Sequence, residues 1–142
     1  MSLRNVLHTH SEKIWILALD DKCLSRPFSP LVQLIDWYNN QILLKSVKSK
    51  KIDFSFGRKT LISTFGLLPT EKLVLIGLGQ SQNLGLREAK KFLDETLKTV
   101  DGFGVQNPWI IFEPSTPKEF LNEVTKSRTS IENLTQATIS VD

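Results

Sequence analysis

The sequence predicts an α/β fold, a three-layer α/β/α sandwich on a mixed or largely parallel central sheet. Three observations predict it. Short continuous apolar runs, Ile14 to Leu19 (IWILAL), Lys72 to Leu78 (KLVLIGL) and Trp109 to Phe112 (WIIF), suit strands buried on both faces. Segments with apolar residues at helical spacing lie between and after these runs. The two kinds of segment alternate along the chain, as they do where helices cover both faces of a sheet.

Taken in order, Ile14 to Leu19 is the first strand, closed by Asp20 and Asp21. Ser29 and Pro30 then supply an N-cap and an N1 proline, and Leu31, Leu34, Ile35, Tyr38 and Ile42 form one stripe, which predicts a single helix from Pro30 to Val47. From Lys51 to Gly66 the period changes to two (Ile52, Phe54, Phe56, then Leu61, Ile62, Phe65), giving two short strands around a turn at Gly57 and Arg58. Pro69 and Thr70 break the chain before the central strand Lys72 to Leu78.

Ala89, Phe92, Leu93, Leu97 and Val100 make a second amphipathic helix from Leu86 to Val100, with Asp94 and Lys98 as an i,i+4 pair and Gly102 and Gly104 as stops. The strand Trp109 to Phe112 follows, and Thr116, Pro117 and Glu119 read as a capping box that opens a third helix carrying Phe120 and Val124 inward. Beyond Arg128 the pattern is diluted by Thr, Ser and Asn, so Ile131, Leu134 and Ile139 read as a weak continuation of helix with a frayed end.

At 142 residues, with 40% hydrophobic and 23% charged residues, the chain fits one globular domain over residues 1–142 and excludes a fibrous or wholly disordered protein. No run of eighteen apolar residues and no basic-then-apolar leader occurs, so the expected location is the cytoplasm, with no membrane partner. The lone Cys23 has no cysteine to pair with and reads as a small buried hydrophobe. Net charge is +3, but Lys45, Lys48, Lys50, Lys51, Arg58 and Lys59 against Asp53 give one segment +5, which leaves −2 for the rest. That patch is the candidate for nucleic-acid binding, ranked below a solvated helix end and loop.

Three further features bear on function. Gly77-Leu78-Gly79 turns out of a strong strand shortly before a helix, where phosphate loops sit, but Gln82 stands where the dinucleotide pattern needs glycine or alanine, and no Walker motif occurs. Asp20 and Asp21 end a strand, the usual place for ligand-binding groups in α/β folds, yet lack a partner for acid/base work. His8 and His10 are two apart near the start, so an extended backbone would set both on one face, but no third metal ligand can be named. Trp15, Trp37 and Trp109 fall in apolar elements and are assigned to packing ahead of a base-stacking platform.

The run Thr60 to Gly66, the break at Pro69 and then KLVLIGLGQSQNLGLREAKKFLDETL resemble the amino-terminal domain of the leucine (cytosol) aminopeptidases, in which a strand ending in V-G-L-G precedes a linker and a helix. The resemblance covers Ile14 to about Val124. It implies a macro-domain-like α/β/α fold, with peptidase chemistry and its two metal ions confined to a separate domain. The N-T-D-A-E-G-R-L segment of that domain has no counterpart here, so the resemblance implies no catalytic residue, no metal and no cofactor.

On that basis the leading expectation is a non-catalytic interaction or regulatory module, partnered by a second copy or by an aminopeptidase. The alternative is a macro-type module for ADP-ribose or a related nucleotide, with Asp20, Asp21, Gly77 and Gly79 as ligand-binding candidates, although the asparagine-rich macro segment is missing. Nucleic-acid binding through the basic patch ranks last.

Overall fold

The computed structural model describes residues 3–105 and 107–141, excluding the side chains of Leu3 and Arg4. In chain order the elements are α1 (Leu3–Thr9), β1 (Ile14–Leu19), α2 (Pro30–Tyr38), α3 (Ile42–Lys48), β2 (Lys59–Ile62), β3 (Lys72–Gly77), α4 (Leu86–Gly102), β4 (Trp109–Phe112), α5 (Lys118–Arg128) and β5 (Thr138–Val141). The strands form one five-stranded sheet in the order β2-β3-β1-β4-β5. All neighbours are parallel except β2, which runs antiparallel along β3 at one edge.

The continuous apolar run of β1 follows from its central position. Every residue from Ile14 to Leu19 is buried, and successive side chains go to opposite faces. Trp15, Leu17 and Leu19 join Leu7, Phe28, Leu31, Ile35 and Leu43 beneath α1, α2 and α3. Ile14, Ile16 and Ala18 join Phe92, Leu93, Phe120 and Val124 beneath α4 and α5. The result is the three-layer α/β/α arrangement that the alternation of elements predicts.

Four local expectations are corrected. The helix expected from Pro30 to Val47 is two helices, because Asn40 and Gln41 take left-handed φ values of 60° and 56°. The Asp36 carboxylate then accepts the amides of Leu43 and Leu44 at 2.9 and 3.0 Å, restarting the backbone as α3. Of the two strands expected between Lys51 and Gly66 only β2 forms. Ile52 and Phe54 are buried in the core, but their segment is loop, and the Phe54 carbonyl accepts the Gly79 amide at 2.7 Å instead of joining a ladder.

The stretch read as fraying helix ends in β5, whose β-branched residues pair with β4 from Thr138 to Val141; Asp142 lies outside the described residues. Finally, Thr116 makes no cap: α5 begins at Lys118, and the buried Thr116 hydroxyl has no hydrogen-bond partner among the described residues.

The helix α1 was not foreseen. It seats Leu7 in the core, and it removes the extended backbone that would have aligned the two histidines. His8 meets Tyr38 edge-on at 6.5 Å, whereas His10 stacks on Trp109 at 3.5 Å and holds Glu12 at 3.0 Å. Among the described residues no group of three or more metal-ligating side chains occurs, and no helix is long and apolar enough to cross a membrane.

Candidate functional site

The parallel strands β1, β3 and β4 all end at one rim of the sheet, where the buried polar residues Asp20, Ser29 and Glu113 lie together. Asp20, directly after β1, is 2% exposed and caps the 3-10 turn Asp21–Leu24 by accepting the Lys22 amide at 3.0 Å. Glu113, directly after β4, is 7% exposed and accepts the Ser29 amide at 3.1 and 3.3 Å, which sets a carboxylate at the amino end of α2. Ser115 follows and donates its hydroxyl to the second Asp20 oxygen at 3.5 Å.

These groups line a cleft of about 260 Å³ together with Lys22, Cys23, Arg26 and Ser29. The Cys23 thiol is pushed up to about 12, first by burial and then by the negative charge of Glu113, Asp20 and Asp21. A thiol in that state stays protonated at neutral pH and is no nucleophile. Lys22 and Arg26 form no ion pair among the described residues. The Ser29 hydroxyl, in a residue only 8% exposed, has no hydrogen-bond partner among the described residues.

Of the four ligand-site candidates, Asp20 alone lines this cleft. Asp21 donates its amide to the Gly79 carbonyl at 3.0 Å, tying the β1 turn to the β3 turn. Gly79 has φ +65°, and a Cβ there would lie 3.3 Å from the Phe56 nitrogen. Gly77 is the tighter position, where a Cβ would lie 2.6 Å from the Phe54 carbonyl oxygen. The amides of Gly77, Leu78 and Gly79 donate to the carbonyls of Arg58, Leu19 and Phe54. These glycines thus admit the 54–58 segment against the strand end, and their amides are spent on it.

The residues that sequence reasoning missed are Glu113, Ser29, Arg26 and Lys22. Glu113 carried the same signal as Asp20, an acid directly after a buried strand. Ser29 was legible as a helix start, and indeed precedes Pro30 there, but its side chain makes no capping bond.

A second, larger depression of about 610 Å³ adjoins the cleft, sharing Pro27 and Pro30 as walls and lined further by Phe28, Leu34, Trp37 and Leu44. Trp37 is 68% exposed, so its assignment to packing is corrected, whereas Trp15 and Trp109 are fully buried. The tryptophan lies on the outer side of a short helix whose inner side is already filled by Leu31, Val32 and Ile35.

The basic residues lie elsewhere. Lys45, Lys48, Lys50 and Lys51 are exposed along the end of α3 and the following loop, with Lys45 Nζ donating to the Asn40 carbonyl at 3.0 Å. Arg58 lies 3.5 Å from Asp53, and Lys59 lies 2.9 Å from Glu95, whose other oxygen faces Lys98 at 3.6 Å. Lys98 therefore pairs with Glu95 and not with Asp94. Asp53 is held below the usual carboxylate range, chiefly by its hydrogen bonds to Ser55, and Glu95 likewise by Lys59.

No protein-family model matches the sequence, and no curated protein matches it. Solved structures do match in fold. The macrodomain of Mycobacterium tuberculosis DarG is similar over 95% of this chain and 91% of its own, with a TM-score of 0.60 at 8% identity. Thermosipho africanus DarTG in complex with ADP-ribose is similar over 95% of this chain and 39% of its own, with a TM-score of 0.51 at 10% identity. A tomato leucine aminopeptidase mutant is similar over 95% of this chain, with a TM-score of 0.66 at 13% identity, and this chain spans 30% of its length.

The fold is therefore macrodomain-like. The likeness to the aminopeptidase is one of fold and does not place the chain in that family.

Proposed function

We propose that the chain is a macro-type binding module that takes ADP-ribose, or a nucleotide of that class, in the cleft at the carboxyl ends of β1 and β4. The observation that carries the proposal is the Ser29 hydroxyl, which is buried on the cleft wall with no hydrogen-bond partner among the described residues. A buried polar group left unpaired costs about 1 to 3 kcal/mol, so a ligand that supplies the missing partner gains by doing so.

The neighbouring groups suit a sugar phosphate. Asp20 and Glu113 offer carboxylate oxygens to ribose hydroxyls, and Lys22 and Arg26 offer charge to phosphates without giving up an ion pair. Glu113 already occupies the amino end of α2, so the phosphates lie toward Lys22 and Arg26. Support from outside the chain is the similarity to DarG macrodomains and to DarTG, which was captured with ADP-ribose. This places the ligand-binding reading ahead of the interaction-module reading that leads on sequence alone.

Calorimetric titration with ADP-ribose tests it. Saturable binding that Arg26→Ala weakens is expected, accompanied by a rise in melting temperature, since a ligand selective for the native state raises apparent stability. Absence of heat and of a thermal shift at millimolar ADP-ribose would reject it.

A further inference from the structure

We infer that the depression beside the cleft is a base-binding subsite, and that Trp37 stacks on the purine ring of the nucleotide whose sugar and phosphates occupy the polar cleft. The inference rests on the proposed binding of ADP-ribose-class ligands and adds to it the residue that selects for an aromatic base.

Size gives the first argument. The polar cleft, at about 260 Å³, is smaller than the roughly 300 to 1,000 Å³ usual for sites that enclose a drug-sized ligand. The neighbouring depression of about 610 Å³ supplies the missing room, and the two share Pro27 and Pro30, so a ligand can cross from one to the other without leaving the surface.

Chemistry gives the second. Cations concentrate in the cleft, whereas Phe28, Leu34, Trp37 and Leu44 make its neighbour mainly apolar, with Gln33, Asp36 and Gln41 as its polar lining. A nucleotide divides in the same way, into a flat apolar base and a charged, hydroxylated remainder. Proline rings at the junction add rigid walls with no amide donor.

Trp37 gives the third. Trp15 and Trp109 are fully buried, but Trp37 stands 68% exposed on the groove wall. An indole face is a stacking platform for any base. Because the core side of α2 is filled by Leu31, Val32 and Ile35, removal of the Trp37 ring leaves the fold intact.

The test compares ADP-ribose with ribose 5-phosphate, which lacks a base, on wild-type protein, Trp37→Ala and Arg26→Ala. Trp37→Ala is expected to weaken ADP-ribose roughly tenfold or more, the lower range of what loss of one aromatic platform costs, while leaving the affinity of ribose 5-phosphate and the melting temperature of the free protein unchanged. ADP-ribose should also quench wild-type tryptophan fluorescence. Equal ADP-ribose affinity in wild type and Trp37→Ala, with Arg26→Ala impaired, overturns the subsite while the cleft proposal stands. Failure of both ligands to bind wild-type protein overturns the cleft proposal, and the subsite with it.

Discussion

At the scale of single residues, the rim of the sheet explains two residue choices. Gly79 has φ +65°, a region that β-branched residues avoid, with the Phe56 nitrogen 3.3 Å from any Cβ. Gly79→Val should therefore destabilise the protein by about 1 to 3 kcal/mol. By differential scanning calorimetry that is a fall of roughly 3 to 10 °C, and a melting point within a degree of wild type would refute the account. Cys23 gives a prediction in pH. Its thiol moves from an ordinary value of 9.0 to about 12 on folding, so the folded state favours the protonated form. That contribution to stability is complete below pH 9 and declines as pH rises from there toward 12. A thiol reagent at pH 8 should accordingly label unfolded protein quickly and native protein slowly. Rapid native labelling at a rate matching the unfolded chain would show that burial, with the carboxylates around it, does not hold the Cys23 thiol protonated.

At the scale of elements, Asp36 is the hinge between α2 and α3. Its carboxylate accepts two α3 amides, although burial raises its pKa above the ordinary value of 3.8. Asp36→Ala removes the cap and should cost about 1 to 2 kcal/mol, whereas Asp36→Asn keeps one acceptor, sheds a buried charge and should cost less. Chemical denaturation of the pair checks the order, and equal losses would mean that packing and not capping sets the cost. The break at Asn40 and Gln41 also shows what the sequence could tell. The buried strands β1, β3 and β4 were legible because burial on both faces demands an unbroken apolar run, and α4 because its stripe persists over seventeen residues. The division of α2 from α3 was not, since Ile42 and Leu43 continue the helical stripe across the kink. Ile52 and Phe54 imitated a strand because a loop pressed on the core can also bury alternate residues. Asp20 was legible as an acid at a strand end, and Glu113 carried the same signal, but that the two share a cleft follows only from the pairing of β1 with β4, elements distant in the chain.

At the scale of the whole molecule, the site depends on the order of strands, because β1 and β4 must lie side by side to bring Asp20 and Glu113 to one cleft. The outer support of β4 is β5, which pairs with it from Trp109 to Phe112. The last segment also buries Leu134 and Ala137 beneath the α4 and α5 layer, and the Ser140 hydroxyl accepts the Trp109 indole N–H at 2.8 Å. Two variants separate these contributions. Ser140→Ala leaves a buried indole donor unpaired and should cost about 1 to 3 kcal/mol with the fold retained. Deleting residues 133–141 removes a fully buried leucine, itself worth about 2 to 5 kcal/mol, together with every hydrogen bond along one edge of β4. Those losses approach the total stability of a typical domain, about 5 to 15 kcal/mol. The truncated chain should lose cooperative thermal unfolding in circular dichroism, while Ser140→Ala melts sharply at a lower temperature. A truncated chain that unfolds cooperatively within a few degrees of the full one would show that β1, β3 and β4 hold together without β5, and that the cleft can be built on a four-stranded sheet.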